Sequence, residues 1–327
     1  RNIGINIQPP DVNACAFRFS VADGATVHYG LGAVKGVGEA VITAIVRERE
    51  ESGAYASLID LCRRNGESRL NRRALEALIK AGALDCFGQA RPHLMAGLDE
   101  ALQTTEQHMR ATASGQSDFF GLDAADSQGA PEQLTQFDNV PEWSDDERLR
   151  YEKDTLGLYL TGHPIDKYRD EIAGFASCTL AELKTGKRRV AGLIMGMRVI
   201  KTRRGQIAIA SIDDKTARVE VTFFRDLFEQ NMERLVVDQM IVIEGGCDVD
   251  DFSGEYNVQA ERVLLLDEAR NAFAGAVVLD VDSESLGNGF VDHLKDMIAT
   301  HPRGDCPVAI EYQTDVSRAR LRLGDDW

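Results

Sequence analysis

The chain is 327 residues long, 43% hydrophobic and 28% charged, with a formal net charge of −16, which is enough length for two or three domains that each bury a core. No run approaches the roughly 18 consecutive apolar residues of a membrane span, so no membrane attachment is expected. Six cysteines (15, 62, 86, 178, 247, 306) without a CxxC pair read as reduced thiols of a cytoplasmic protein rather than disulfides or zinc ligands.

Arg1-Asn2-Ile3-Gly4 is neither an initiator methionine nor a signal peptide, so the chain is expected to begin inside a longer protein. Residues 1–31 carry Pro9-Pro10 and two strand-like runs, Ala16–Val21 and Thr26–Leu31, around Asp23-Gly24. Residues 32–106 read as helices separated by glycines. The first is Glu39–Arg49, with Ala40, Val41, Ala44 and Ile45 on one face. The next is capped by Asn71, carries Leu75, Leu78 and Ile79, and stops at Gly82. A third follows Pro92 with Leu94, Leu98 and Leu102. Residues 107–145 lose periodicity and gather Ser, Gly, Gln, Asp and Pro, the composition of a linker. A charged helical connector from Ser144 runs to about Ile172 through Thr155-Leu-Gly-Leu-Tyr-Leu-Thr-Gly-His-Pro164.

Residues 188–268 show strands at barrel spacing: Val190–Ile200, Gln206–Ile212, Arg218–Phe224, a helix over 225–236, then Met240–Val249 and Glu255–Leu266. Residues 269–327 read as strand (276–281), helix (289–300) and two strands (307–312, 318–323), stopping at Trp327 as if the domain were cut short. The fold class is multidomain α+β: a helical hairpin domain, a linker, a five-stranded β-barrel and a small, truncated α/β domain.

Charge is unevenly spread. Residues 1–110 hold 13 basic and 13 acidic side chains, 111–150 hold 2 and 9, 188–224 hold 8 and 3, and 225–327 hold 9 and 22. DNA contact in such a chain is local and relies partly on backbone amides. Leu31-Gly-Ala-Val-Lys-Gly-Val-Gly38 before the Glu39 helix has the form of a helix-hairpin-helix. Gly36 and Gly38 allow a tight turn whose amides meet a phosphate at the positive end of the helix. Val37 anchors the turn and Lys35 adds charge. A second hairpin spans Lys80–Gly88 and includes Gly82, with Arg72 and Arg73 nearby. Such a pair grips a duplex backbone and reads no bases. The same glycines also suit a plain turn between packed helices.

Five strands with a helix between the third and fourth is the OB-fold arrangement, which binds oligonucleotides on strands two and three. The first loop, Lys201-Thr-Arg203-Arg204-Gly205, is the densest positive cluster, with Arg198 close by. Phe223, Phe224 and Tyr256 are candidates for base stacking, worth roughly 1–3 kcal/mol per base. One of the adjacent pair Phe223-Phe224 must face the core, leaving Phe224 as the candidate single-strand contact. OB barrels also bind proteins, and the residues leave that open.

Gln116-Ser-Asp118-Phe119-Phe120 stands alone in the acidic linker. Two aromatics and an amide in such a segment suit a cleft on another protein. Catalytic residues are expected to be none. Polymerase or nuclease chemistry needs clustered carboxylates, and Asp280-Val-Asp282 has no evident third. The six histidines lack metal-ligand spacing, and no lysine sits in a KxDG context.

The order of these elements closely resembles the C-terminal portion of the alpha subunits of the bacterial replicative DNA polymerase III, the C-family polymerases. The residues carrying the resemblance are Tyr29–Gly38, Leu70–Asp85, Gln116–Phe120, Thr155–Pro164, Ser211–Asp214 and Val219–Phe224. It implies that residues 1–31 end the fingers region, that the hairpins grip duplex DNA, and that Gln116, Asp118, Phe119 and Phe120 hold the sliding clamp. It also implies that the barrel meets single-stranded template and that the last domain contacts the clamp loader's tau subunit. The parent would be a DNA-directed DNA polymerase using Mg2+, with no cofactor in this segment, which lacks the palm carboxylates and should be inactive alone. An error-prone C-family paralogue and a repair or ligase protein with an OB domain and hairpins are the alternatives.

Overall fold

Short polar caps and left-handed glycines decide where the helices start and stop. The computed structural model describes residues 5–66, 70–113, 137, 139–202, 205–250, 254–282, 289–300, 304, 306–314 and 317–324. The chain divides into two units, 1–166 and 167–327.

In the first unit, β1 (Asn6–Gln8), β2 (Ser20–Asp23) and β3 (Thr26–His28) form a small sheet of order β1-β3-β2, with β1 parallel to β3. After a 3-10 turn at Leu31–Ala33 come α1 (Glu39–Ser52), α2 (Leu58–Arg64), α3 (Arg72–Lys80), α4 (Arg91–Ala96) and α5 (Leu98–Ala113). The Asn71 side chain accepts the Ala74 N–H at 3.0 Å, opening α3 as expected. Gly82, at φ +78°, closes it: its N–H donates to Ile79 O and the Ala83 N–H to Leu78 O.

Three features differ from the sequence expectation. Helix α2 was not anticipated, although Ser57 accepts the Asp60 N–H and caps it. The helix after Pro92 breaks at Gly97 into α4 and α5. On α1 the buried stripe is Val41, Ile42 and Ile45, while Ala40 is exposed, so the face is rotated from the one expected. These residues join Leu58, Leu61, Leu75, Leu78, Leu94 and Leu98 in one core, which also takes in Val12 and Cys15. Arg49 Nη1 ties that early segment to α1 by donating to Val12 O and Cys15 O, both at 2.8 Å.

Helix α6 (Asp145–Leu156) opens with a capping box of Ser144 and Glu147. It stops at Gly157, φ +79°, well short of Ile172, because the left-handed turn ends the helical ladder.

The second unit begins with α7 (Arg169–Phe175) and the barrel strands β4 (Gly186–Thr202), β5 (Gly205–Asp213) and β6 (Arg218–Phe223). Helix α8 (Arg225–Asn231), β7 (Met240–Val249), β8 (Tyr256–Leu265) and α9 (Leu266–Phe273) follow. The long β4 pairs with β5 along one half and with β7 along the other, and β6 runs parallel to β8. The five strands thereby close in the order β4-β5-β6-β8-β7. Alternate residues fill the barrel: Ala208, Ala210 and Ile212 from β5, and Val219, Val221 and Phe223 from β6. Strand β9 (Val277–Asp282), α10 (Phe290–Ala299), β10 (Val308–Gln313) and β11 (Arg318–Arg322) complete the unit. Its second sheet has order β11-β10-β9 with β9 and β10 parallel across the helix.

Candidate nucleic-acid interfaces

In the first unit, the turn before α1 leaves a run of backbone amides open. Lys35 N–H is taken by Thr155 O at 2.8 Å and Val37 N–H by Val34 O. The N–H groups of Gly36, Gly38, Glu39 and Ala40 have no acceptor among the described residues, and all four residues are exposed. Gly36 sits at φ +92°, where a side chain is strained. Gly38 does not need a glycine's freedom: it is the N-cap of α1 at φ −77° and ψ 150°, and a Cβ there would meet nothing within 4 Å. A helix N-terminus with free amides and a positive dipole end favours an anion. Val37 is half-buried against the core behind the turn, as the sequence led us to expect.

Helix α3 supplies flanking charge. A Cβ built on Gly36 lies 3.5 Å from Ala77 Cβ. Arg73 and Lys80 stand one turn to either side of Ala77, on the helical face that meets the Gly36 turn. Lys80 Nζ also lies 5.2 Å from the centre of the Tyr151 ring. Lys35 Nζ is carried over Gly157, where an added Cβ would come within 3.5 Å of it. Arg72 departs from expectation: it faces away and is paired with Glu76 at 2.8 Å and with Asp99.

The segment 155–161 braces this turn. Tyr29 Oη donates to Leu156 O at 2.9 Å, and Tyr29, Val34, Ala77, Ala81 and Leu156 form one buried cluster. Glu152 organises the segment from below. Its side chain is 1% exposed and accepts from Leu160 N–H, Thr161 N–H and Thr161 Oγ1. It also accepts from Arg91 Nη1 at 3.1 Å. Arg91 in turn binds Asp85 at 2.7 Å, crossing the second predicted hairpin. A Cβ on Gly82 would run into the Arg91 guanidinium, so Gly82 serves the packing of an arginine as well as a positive φ. Glu152 and Arg91 were not legible in the sequence, since nothing local marks a carboxylate and an arginine 61 residues apart as partners.

In the second unit, strand register assigns the faces. Because Ala208, Ala210, Val221 and Phe223 point inward, Ile207, Ile209, Thr222 and Phe224 lie on the outer side. Phe223 is 0% and Phe224 50% exposed, which resolves that pair. Tyr256 shares the inward parity of Val258 and Ala260 and lies off the outer face of β5 and β6.

Three cations of the basic island, and Lys187 beside it, are committed to carboxylates. Arg189 pairs with Glu244, Arg218 with buried Asp213, and Lys187 with Glu261. Arg198 grips Glu220 with both Nη atoms, at 2.7 and 2.8 Å. Lys201 is exposed near the β4–β5 tip, and Arg203 and Arg204 lie outside the described residues. Arg225, not picked out from sequence, lies against Gly205 at the same tip and pairs with Glu229. Asp214 organises the β5–β6 turn by accepting Thr216 N–H, Ala217 N–H and Leu180 N–H. The peptide Gln116, Asp118, Phe119 and Phe120 lies outside the described residues. Among the described residues no group of three His, Cys, Asp or Glu is placed to hold a metal ion, and no helix is long and apolar enough to cross a membrane.

Residues 4–94 match the helix-hairpin-helix motif family, and residues 189–266 the OB-fold nucleic acid binding domain family. Residues 293–327 match the family of the DNA polymerase III subunit alpha C-terminal domain. Curated DNA polymerase III alpha subunits align over the whole chain. That of Vibrio cholerae is 38% identical over 333 residues, covering 100% of this chain and 28% of its own length. That of Escherichia coli K12 is 38% identical over 99% of this chain and 28% of its own. That of Pseudomonas aeruginosa is 39% identical over 100% and 29%. The chain thus spans under a third of the relatives it matches. Among solved structures, the second OB-fold domain of replication protein A from Methanococcus maripaludis aligns with 28% of this chain and 96% of its own. Its identity is 12% and its TM-score 0.22, too slight a likeness to argue from.

Proposed function

We propose that this chain, related over its whole length to DNA polymerase III subunit alpha, is the DNA-holding and processivity region of a C-family replicative polymerase acting in chromosomal replication. The observation that carries the proposal is the turn at Gly36–Ala40, where exposed amides open a helix start beside Ala77 of α3, whose face also carries Arg73 and Lys80, with Lys35 in the turn itself. That arrangement takes a phosphate from a duplex backbone without reading bases. The OB barrel takes single-stranded template. Gln116, Asp118, Phe119 and Phe120 dock on the sliding clamp, and residues 269–327 meet the clamp loader's tau subunit, in the cytoplasm. The segment limits 1–31, 32–106, 107–145, 146–187, 188–268 and 269–327 belong to the same proposal. Polymerisation with Mg2+ is an activity of the parent chain, and no step of it is assigned to the residues described.

Two measurements test this. Duplex affinity of the chain is followed by fluorescence anisotropy across a salt series. Replacing Lys35, Arg73 and Lys80 together by alanine should flatten the slope of log K against log salt by about 2.7, at about 0.9 per phosphate contact. An unchanged slope removes the hairpin from the interface. Binding to purified bacterial sliding clamp is then compared with a Gln116→Ala/Phe119→Ala/Phe120→Ala variant. Absence of clamp binding by the unaltered chain sinks the tether.

A further inference from the structure

We infer that Glu220 is a specificity residue of the barrel: it restrains Arg198 from phosphates, so that the outer face of β5 and β6 receives unpaired bases by apolar contact. This inference rests on the proposed single-strand role of the barrel.

The strand register sets out that face. Arg198 stands opposite Ile209 and Ile200 opposite Ile207 across the β4–β5 ladder, while Thr222 stands opposite Ile209 and Glu220 opposite Ser211 across β5–β6. Ile200, Ile207, Ile209 and Phe224 therefore form an apolar stripe, of which Ile200 and Phe224 are exposed. Arg198 sits in its midst. Its guanidinium reaches diagonally over β5 to bind both oxygens of Glu220, at 2.7 and 2.8 Å. A bidentate fork of this kind satisfies the geometry that a phosphate would otherwise use.

The chemistry of the ligand follows. A duplex pressed on this stripe brings phosphates against the Glu220 carboxylate and finds Arg198 occupied. An unpaired strand can turn its bases to the isoleucines and Phe224, with its backbone toward the tip that carries Lys201 and Arg225. Both members of the pair are about half-exposed, and exposed pairs are weak. Arg198 is therefore held back rather than lost, and removing the carboxylate should release it.

The experiment measures binding of the full chain to a fluorescent dT20 strand from 50 to 300 mM salt. A Lys35→Ala/Arg73→Ala/Lys80→Ala/Gly38→Asp background silences the hairpin, its cations and its open amides alike. Four further changes are compared: Glu220→Gln, Arg198→Ala, their combination, and Phe224→Ala. Glu220→Gln should tighten binding about threefold to tenfold and steepen the salt slope by about 0.7, one added single-strand phosphate contact. Arg198→Ala alone should change affinity less than about twofold, and in the Glu220→Gln chain it should abolish the gain. Weaker binding in Phe224→Ala, with Glu220→Gln unchanged in affinity and slope, overturns the inference and leaves the single-strand role standing. A gain in Glu220→Gln that persists without Arg198 also overturns it, since the carboxylate would then act on its own. Insensitivity to Phe224→Ala and to Glu220→Gln together removes the single-strand role itself.

Discussion

Replacing Gly38 by aspartate separates the stability of the hairpin from its proposed hold on a phosphate. Gly38 caps α1 from ordinary extended backbone, and its Cβ position is open. An aspartate there accepts the Ala40 or Val41 N–H, a better cap than glycine by a few tenths of a kcal/mol. Its charge at the helix start adds about 0.3–1 kcal/mol, partly offset by repulsion from Glu39 next door. The first unit should therefore be as stable as before, or more so by about 0.5 kcal/mol. Duplex binding moves the other way. The carboxylate fills the amide cradle and faces a phosphate at about 6 Å, worth roughly 0.7 kcal/mol at the dielectric of water and 2.8 kcal/mol at an effective value near 20. Affinity should fall about 3- to 100-fold. Anisotropy on a 20-bp duplex measures the second quantity. Urea unfolding followed by Trp143 fluorescence in a Trp327→Phe background measures the first, since Trp143 packs against the helical core. Gly38→Asn is the control: it caps as well without the charge, and should cost less than about threefold. Duplex affinity untouched in Gly38→Asp, or lost equally in Gly38→Asn, refutes the reasoning.

Glu152→Ala leaves Arg91 buried with half its partners, and should destabilise the first unit by about 3–5 kcal/mol, with Glu152→Gln retaining part of that; a urea midpoint unmoved by either change is incompatible with the network described. In the barrel, Phe223→Ala should cost about 3–5 kcal/mol and Phe224→Ala no more than about 0.5 kcal/mol. Reversal of that order would place the wrong ring in the core. Burial pushes the Cys62 thiol from 9.0 up to about 12, so between those values the unfolded thiol has released its proton while the folded one keeps it. Stability should accordingly be unaffected below pH 9 and fall as pH rises toward 12, by up to about 1.4 kcal/mol per unit. Cys62→Ala should flatten that alkaline limb in denaturation measured at stepped pH.

How much was legible in advance depended on how local the cause was. Strand limits in the barrel follow from period-two patterning, since Ala208, Ala210 and Ile212 alternate with half-exposed neighbours. The start of α3 follows from Asn71 and its end from Gly82, each a property of one residue and its nearest amides. Helix α2 was missed for lack of length, although Ser57 and Asp60 carry a cap and Leu58, Leu61 and Cys62 recur at helical spacing. The break at Gly97 and the stop at Gly157 were hidden inside good helical periodicity. The candidate interfaces were legible as residue types but not as partners. Arg73 and Lys80 look equivalent to Arg72 in sequence, and only the face of α3 that meets Gly36 tells them apart. Likewise the cations of residues 188–224 count as positive charge in a sequence, while Glu244, Asp213 and Glu220 claim three of them in the fold.

That last difference bears on how a chain of net charge −16 could hold DNA. Intramolecular pairing occupies Arg189, Arg198 and Arg218, so on the proposed reading much of the attraction comes from a few side chains and from uncharged amides aimed at a phosphate. Repulsion from the acidic remainder reaches a duplex only within a Debye length, about 8 Å at physiological salt. Salt weakens the local attraction and that repulsion together. The measured salt slope on duplex DNA should therefore be shallower than the number of contacted phosphates implies, and amide contacts, which neutralise no phosphate and so release few counterions, should persist after Lys35, Arg73 and Lys80 are removed. A residual, salt-tolerant affinity in that triple variant that Gly38→Asp then abolishes would assign it to the open amides at Gly36–Ala40. Residual affinity indifferent to Gly38→Asp would place it elsewhere on the chain.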